Sequence, residues 1–342
     1  MTDPIALVRK NILELSPYST ARDEYDGPLG IYLDANESPY NNDYNRYPDP
    51  HQRILKERLS QVKGAPVENI FIGNGSDEPI DLLFRVFCEQ GQDNAVSIAP
   101  TYGMYKVAAA INNIEMREVS LREDFFLDVP SLLAAADAHT KLLFICSPNN
   151  PTGNSFPAAE IEQIIRAFNG IVVLDEAYID FSEHPGFLSR LTDFPNLILL
   201  QTLSKAWGMA GLRIGLAFGR KDIIGILSQV KYPYNINIVA QRIALEQLEK
   251  NRQEQISEIR SQRKWVEEQM LDIPVVKHIY PSDANFLLVR VKDPRRIYNK
   301  LIGEGIIVRD RSKVPGCRDC LRITIGTPEE NTRMIEALKN PE

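Results

Sequence analysis

Six apolar runs, at 69–72, 95–99, 142–146, 171–174, 197–200 and 214–218, alternate along the chain with segments of helical periodicity. Runs this short and this uniformly apolar suit strands buried on both faces, and the helical lengths between them predict a parallel sheet covered by helices. Four runs lead straight into polar segments: 73–78 (GNGSDE), 147–153 (SPNNPTG), 175–178 (DEAY) and 202–205 (TLSK). In a parallel sheet these are the carboxyl ends of strands, the edge at which open α/β sheets bind ligands. Four separate segments therefore converge on one site.

The stretch 202–213 (TLSKAWGMAGLR) is the most chemically loaded. Lys205 follows an apolar strand, Thr202 and Ser204 stand beside it, and Arg213 lies eight positions on. An amine must be partly neutral to condense with an aldehyde, and a phosphate needs hydroxyl and guanidinium donors, so the stretch reads as a cofactor anchor. Desolvation and the cation at Arg213 are expected to lower the pKa of Lys205. Asp175 ends an apolar strand, where a carboxylate is costly unless it meets a cation or a donor. Ser76 or Asp77 reads as the cap of a helix whose free N–H groups form a phosphate seat, with the acidic Asp77 and Glu78 turned away from it.

The 342 residues are too many for one small domain. Residues 1–35 read as an N-terminal arm, 36–236 as a large domain, and 237–342 as a small C-terminal domain entered by a long charged helix over about 237–271. Within the last, strand-like 286–291, 306–309 and 321–325 and helix-like 294–304 and 328–339 predict an α+β unit. The net charge of -7 and scattered Lys and Arg give no nucleic-acid footprint. No apolar run approaches the ~18 residues of a membrane span. The start, with Asp3 and Glu14, is unlike a signal peptide, so a cytoplasmic location is expected. Cys88, Cys146, Cys317 and Cys320 read as free thiols; the lone C-x-x-C at Cys317 and Cys320 has no second ligand pair, and His51, His139, His184 and His278 form no ligand pattern, so no metal is expected.

Tyr102, Asn150-Pro151-Thr152-Gly153, Asp175-x-x-Tyr178 and Ser204-Lys205 with Arg213 occur in the order and spacing of the fold-type I aminotransferases that use pyridoxal phosphate, and the likeness runs over nearly the whole chain. Within that group, 33–37 (LDANE), 46–50 (RYPDP), 202–213 and 321–327 (LRITIGT) most resemble the histidinol-phosphate aminotransferase family. The resemblance implies that Lys205 forms the Schiff base with the cofactor and moves the proton between Cα and C4′. It also implies that Asp175 faces the pyridine nitrogen, that Tyr178 and Asn150 donate to the ring hydroxyl oxygen, and that Tyr102 stacks on the ring. Thr202, Ser204 and Arg213, with Ser76 and the backbone at Asp77, hold the phosphate. Tyr47 crosses a homodimer interface to the partner's cofactor phosphate, and Tyr18, Asn36, Arg309 and Arg322 form the substrate side. Two arginines at one site suit a dianionic ligand.

The activity so implied moves an amino group between L-histidinol phosphate and 2-oxoglutarate, giving imidazole acetol phosphate and L-glutamate by ping-pong half-reactions in histidine biosynthesis. Rivals on the same scaffold are an aromatic amino-acid aminotransferase and a threonine-phosphate decarboxylase. Joint retention of Lys205, Asp175, Tyr178, Asn150 and Arg213 argues against a catalytically silent binding protein.

Overall fold

The computed structural model describes residues 3–18, 30–40 and 42–340. Seven strands build the larger sheet: β1 (Ile70–Asn74), β2 (Asn94–Ala99), β3 (Glu115–Ser120), β4 (Thr140–Cys146), β5 (Ile171–Asp175), β6 (Leu197–Thr202) and β7 (Ile214–Phe218), in the order β1-β7-β6-β5-β4-β2-β3. Neighbours from β3 through β6 are parallel, whereas β7 runs against both β6 and β1. Side chains alternate across the sheet as strand geometry requires. Ile70, Ile72, Val172, Leu174, Leu197 and Leu199 enter one core, covered by helices Arg53–Lys63, Ala158–Ala167 and Ile238–Leu248. Phe71, Ile171, Val173, Ile198 and Leu200 enter the other, covered by Asp77–Phe87, Met104–Ile111 and Lys221–Val230. Apolar partners on both faces explain why the runs are continuous in sequence.

Four strands, β8 (Val276–Ile279), β9 (Phe286–Val291), β10 (Arg309–Asp310) and β11 (Cys320–Thr324), form a second, antiparallel sheet in the order β10-β11-β9-β8. Helices Gln253–Leu271, Pro294–Gly303 and Pro328–Lys339 cover it through Val266, Met270, Ile297, Leu301, Met334 and Leu338. The last helix begins with a reciprocal cap, in which the Thr327 hydroxyl accepts from Glu330 N and the Glu330 carboxylate accepts from Thr327 N.

The structure departs from the sequence reading in several elements. The single helix expected over about 237–271 is two, Ile238–Leu248 and Gln253–Leu271, because the Asn251 side chain accepts from Gln253 N at 2.9 Å and restarts the helix there. The strand expected at 306–309 shrinks to the edge pair Arg309–Asp310. Edge strands β3 and β8 have no apolar run to reveal them, since much of each faces solvent.

Backbone and side-chain bonds join the two sheets. Asp283 N donates to Gly153 O at 2.8 Å, and Asp283 Oδ2 accepts from Ser155 N at 3.1 Å. Among the described residues no helix is long and apolar enough to cross a membrane.

Candidate active site

The carboxyl ends of β2, β4, β5 and β6, the turn after β1 and one edge of the second sheet enclose a cleft of about 850 Å³. Ser76, Asp77, Tyr102, Asn150, Asp175, Tyr178, Thr202, Ser204, Lys205, Arg213, Arg309 and Arg322 all line it. Arg213 reaches this edge because β7 is reversed: its first residue lies where β6 ends, so the residue just before β7 comes back beside the one just after β6. Arg213 takes a left-handed backbone conformation, φ 55°, at that return.

Asp175 is 3% exposed, and both its oxygens are held. Tyr105 Oη donates to Oδ2 at 2.6 Å and Ala177 N donates to Oδ1 at 3.0 Å. Burial nevertheless pushes the carboxyl up to about 6, against the lowering effect of those two bonds. A cation facing Asp175 would reverse that rise. Lys205 reaches into the cleft 5.7 Å from the centre of the Tyr178 ring. Its pKa is lowered by burial first, then by Arg322 and Arg213, against the opposing pull of Asp175 and Asp77. The expectation named desolvation and Arg213; Arg322, from the second sheet, has the larger effect of the two arginines.

Tyr102 donates to Asp77 Oδ1 at 3.0 Å and meets the Tyr105 ring edge-on, centroids 5.6 Å apart. Asn150 Nδ2 donates to Tyr178 Oη at 3.2 Å, which leaves the phenolic hydrogen of Tyr178 to point elsewhere. On the other side Asn150 Oδ1 accepts from Arg322 Nη1 at 2.5 Å, and the Arg322 guanidinium lies over the Phe286 ring at 5.3 Å. Arg309 and Arg322 are register partners across β10 and β11.

At the end of β1 the chain turns tightly against β7. A Cβ on Gly215 would sit 2.1 Å from Ser76 N, and one on Gly75 (φ +74°) would sit 2.4 Å from Arg213 Nη2, so two glycines bring Ser76 N–H and the guanidinium close together. This cradle, with Ser204, Thr202 and the start of helix Asp77–Phe87, has the donors a phosphate requires. Two details differ from expectation. Ser76 stands at the cap position of that helix but makes no side-chain capping bond. Glu78 turns away as expected, accepting from Asn74 N and from Asn235 Nδ2 at 2.9 Å, but Asp77 faces the cleft, 3.5 Å from Arg213 Nη2. Tyr102 and Arg213 supply the partners that let it do so.

Three expected site residues lie outside this cleft. Tyr18 is 76% exposed, Asn36 is exposed with φ 55°, and Tyr47 is 48% exposed and stacked on Tyr234, centroids 4.3 Å apart. None of the four histidines lines it. Cys317 and Cys320 are buried, and burial pushes the Cys317 thiol up to about 12. Two residues that act on the site were not singled out in the sequence. Tyr105, which is buried and holds Asp175 without lining the cleft, stands three positions after Tyr102, one helical turn along. Arg311 stands two after Arg309, just past the end of β10, and lines the cleft with it; period-two spacing could have found it.

Comparison with known proteins places this geometry. A model of the family described as "Aminotransferase class I and II" matches residues 30–338. A histidinol-phosphate aminotransferase of Parabacteroides distasonis is 54% identical over 342 residues, covering 99% of both chains, and one of Bacteroides fragilis is 53% identical over 336 residues, covering 97% of both. Among solved structures, a histidinol-phosphate aminotransferase from Sinorhizobium meliloti in complex with pyridoxal-5'-phosphate superposes with a TM-score of 0.80 over 97% of both chains at 23% identity, a likeness of fold. With a family match over almost its full length and relatives sharing half its residues, the chain belongs to the class I and II aminotransferases.

Proposed function

We propose that this aminotransferase moves the amino group between L-histidinol phosphate and 2-oxoglutarate, with pyridoxal 5'-phosphate as cofactor, in histidine biosynthesis. The observation that carries the reading is that Lys205 and Asp175 line one cleft with a pair of arginines, Arg309 and Arg322, that no carboxylate neutralises among the described residues. The names of the relatives at about half identity agree with it.

Pyridoxal phosphate, when bound, supplies an aldehyde that takes up the amino group and a ring that accepts charge from the substrate Cα. The Ser76 and Arg213 cradle, with Thr202 and Ser204, would hold its phosphate. Asp175, fixed by Tyr105 and Ala177 N, would hold a proton on the ring nitrogen, because a buried carboxylate is most stable facing a cation. Tyr102 would form the platform on one face of the ring, while Tyr178 and Asn150 would donate at the ring hydroxyl oxygen. Lys205, with its lowered pKa, has more neutral amine near neutral pH, and would anchor the aldehyde and serve as the base that holds and passes on the proton of substrate Cα. Arg322 and Arg309 would hold the anionic end of each substrate, phosphate in one half-reaction and carboxylate in the other.

Tyr47, with Tyr18 and Asn36, would complete the site of a second subunit in a homodimer. Their exposure away from their own cleft supports that placement. Four buried free thiols suit a reducing, cytoplasmic location.

The test is a parallel assay of histidinol phosphate, phenylalanine and threonine phosphate, each with 2-oxoglutarate. Glutamate formation is expected to favour histidinol phosphate over phenylalanine, which lacks the phosphate, by at least roughly a hundredfold in kcat/KM. A preference for phenylalanine would overturn the substrate, and carbon dioxide release from threonine phosphate would overturn the reaction.

A further inference from the structure

The basic corner holds a third guanidinium. Arg311 follows Arg309 by two residues, its backbone N donates to Cys320 O at 2.9 Å, and its side chain lines the cleft beside Arg309 and Arg322. Its Nε is buried and has no hydrogen-bond partner. Among the described residues no carboxylate comes within ion-pairing distance of any of the three; Asp310, between two of them in sequence, accepts instead from Ser312 N at 2.8 Å. Three neighbouring cations thus stand unneutralised in a chain of net charge -7.

Such a cluster is costly to keep. Like charges repel, and a buried donor without a partner loses its hydration for nothing. Burial lowers the pKa of Arg311, and Arg322 and Arg309 lower it further. An arriving anion removes both costs. The three cations exceed what a carboxylate can use, since one planar fork already matches both its oxygens. A phosphate monoester is different: it carries ~1.5 to 2 negative charges near neutral pH and three acceptor oxygens. Arg322 meanwhile has one nitrogen committed to Asn150 Oδ1, which leaves fewer donors for the ligand on that side.

We infer that Arg311 is a specificity-determining residue, the third arginine of the substrate-anion corner, which binds the dianionic phosphate of the amino donor and contributes little to binding a carboxylate. The inference rests on the functional reading above and adds to it a residue that separates the two half-reactions. It gives one pocket a means of accepting two different anions: Arg322 and Arg309 serve both, and Arg311 engages when the ligand brings the extra charge.

The experiment uses the holoenzyme, whose cofactor phosphate seat is filled, and compares the wild type with Arg311→Gln and Arg311→Lys. Inorganic phosphate binding is followed by titration calorimetry, and KM and kcat are measured for histidinol phosphate and for glutamate in their separate half-reactions. Arg311→Gln is expected to weaken inorganic phosphate binding and to raise KM for histidinol phosphate, each roughly ten- to hundredfold, as loss of a hydrogen bond to a charged group does. KM for glutamate is expected to shift less than about threefold, and Arg311→Lys, which keeps the charge without the fork, to fall between the two. Unchanged phosphate binding in Arg311→Gln would overturn the inference, as would equal losses for phosphate and glutamate, the mark of a general packing defect. A wild type that binds inorganic phosphate but does not transaminate histidinol phosphate would sink the functional reading, and the calorimetric comparison would still decide the role of Arg311.

Discussion

At the scale of single residues, the site is a set of polar groups whose protonation is set by what buries them. Asp175 shows the balance most clearly. Its carboxyl, raised from an ordinary 3.8 to about 6, binds a proton more readily in the folded protein than in the unfolded chain. Its contribution to stability is therefore fully present below about 3.8 and is lost as pH rises through about 6. Tyr105 limits that loss by donating to the charged form. Tyr105→Phe should therefore steepen the fall in stability of the cofactor-free protein between pH 5 and 8, measured by urea unfolding, and lower kcat of the holoenzyme by roughly tenfold as the carboxylate loses its fixed orientation. An unchanged pH dependence would show that Tyr105 does not govern the proton on Asp175. The chemistry-bearing types were legible in the sequence because Asp175 ends one apolar run, Lys205 follows another, and Arg213 lies eight positions after Lys205. Tyr105 was not: a tyrosine within a periodic helix reads as core, and nothing local shows that its hydroxyl meets a carboxylate 70 positions away.

Elements set the distances between these residues, and the approach of β7 to the turn after β1 is the tightest example. Gly215 leaves no space for a methyl group beside Ser76 N. Gly215→Ala is expected to cost about 2 kcal/mol or more of stability, the scale of overpacking against backbone, and to weaken cofactor affinity by displacing Ser76 and Arg213 together. Thermal unfolding and a cofactor titration read the two effects; a variant with normal affinity would show that the turn is not the phosphate seat. At this scale the strands buried on both faces were readable, and so were helices 294–304 and 328–339, which the structure bounds as Pro294–Gly303 and Pro328–Lys339. The direction of β7 was not, because an apolar run carries no sign of which way it runs. Likewise Asn251 starts a new helix through its own side chain while the apolar spacing on either side continues.

For the whole molecule, Tyr47, Tyr18 and Asn36 stand away from the cleft of their own chain, and the proposed dimer gives them a use. Lys205→Ala and Tyr47→Phe should each impair a dimer made of one variant alone. If Tyr47 acts across the interface, subunits unfolded and refolded together should form mixed dimers with one intact site each, and activity should return; if it acts within its own chain, the mixture should stay as impaired as its parts. The two sheets also meet inside the cleft. Arg322 of the second sheet donates to Asn150 of the first, and Asn150 donates to Tyr178. The same amide thus touches the group that grips the incoming molecule and the phenol beside the reactive amine. Retailoring the grip for another substrate, by exchanging the arginine at 322, would also remove the support under that amide, so an engineer must redesign recognition and reactivity as one unit.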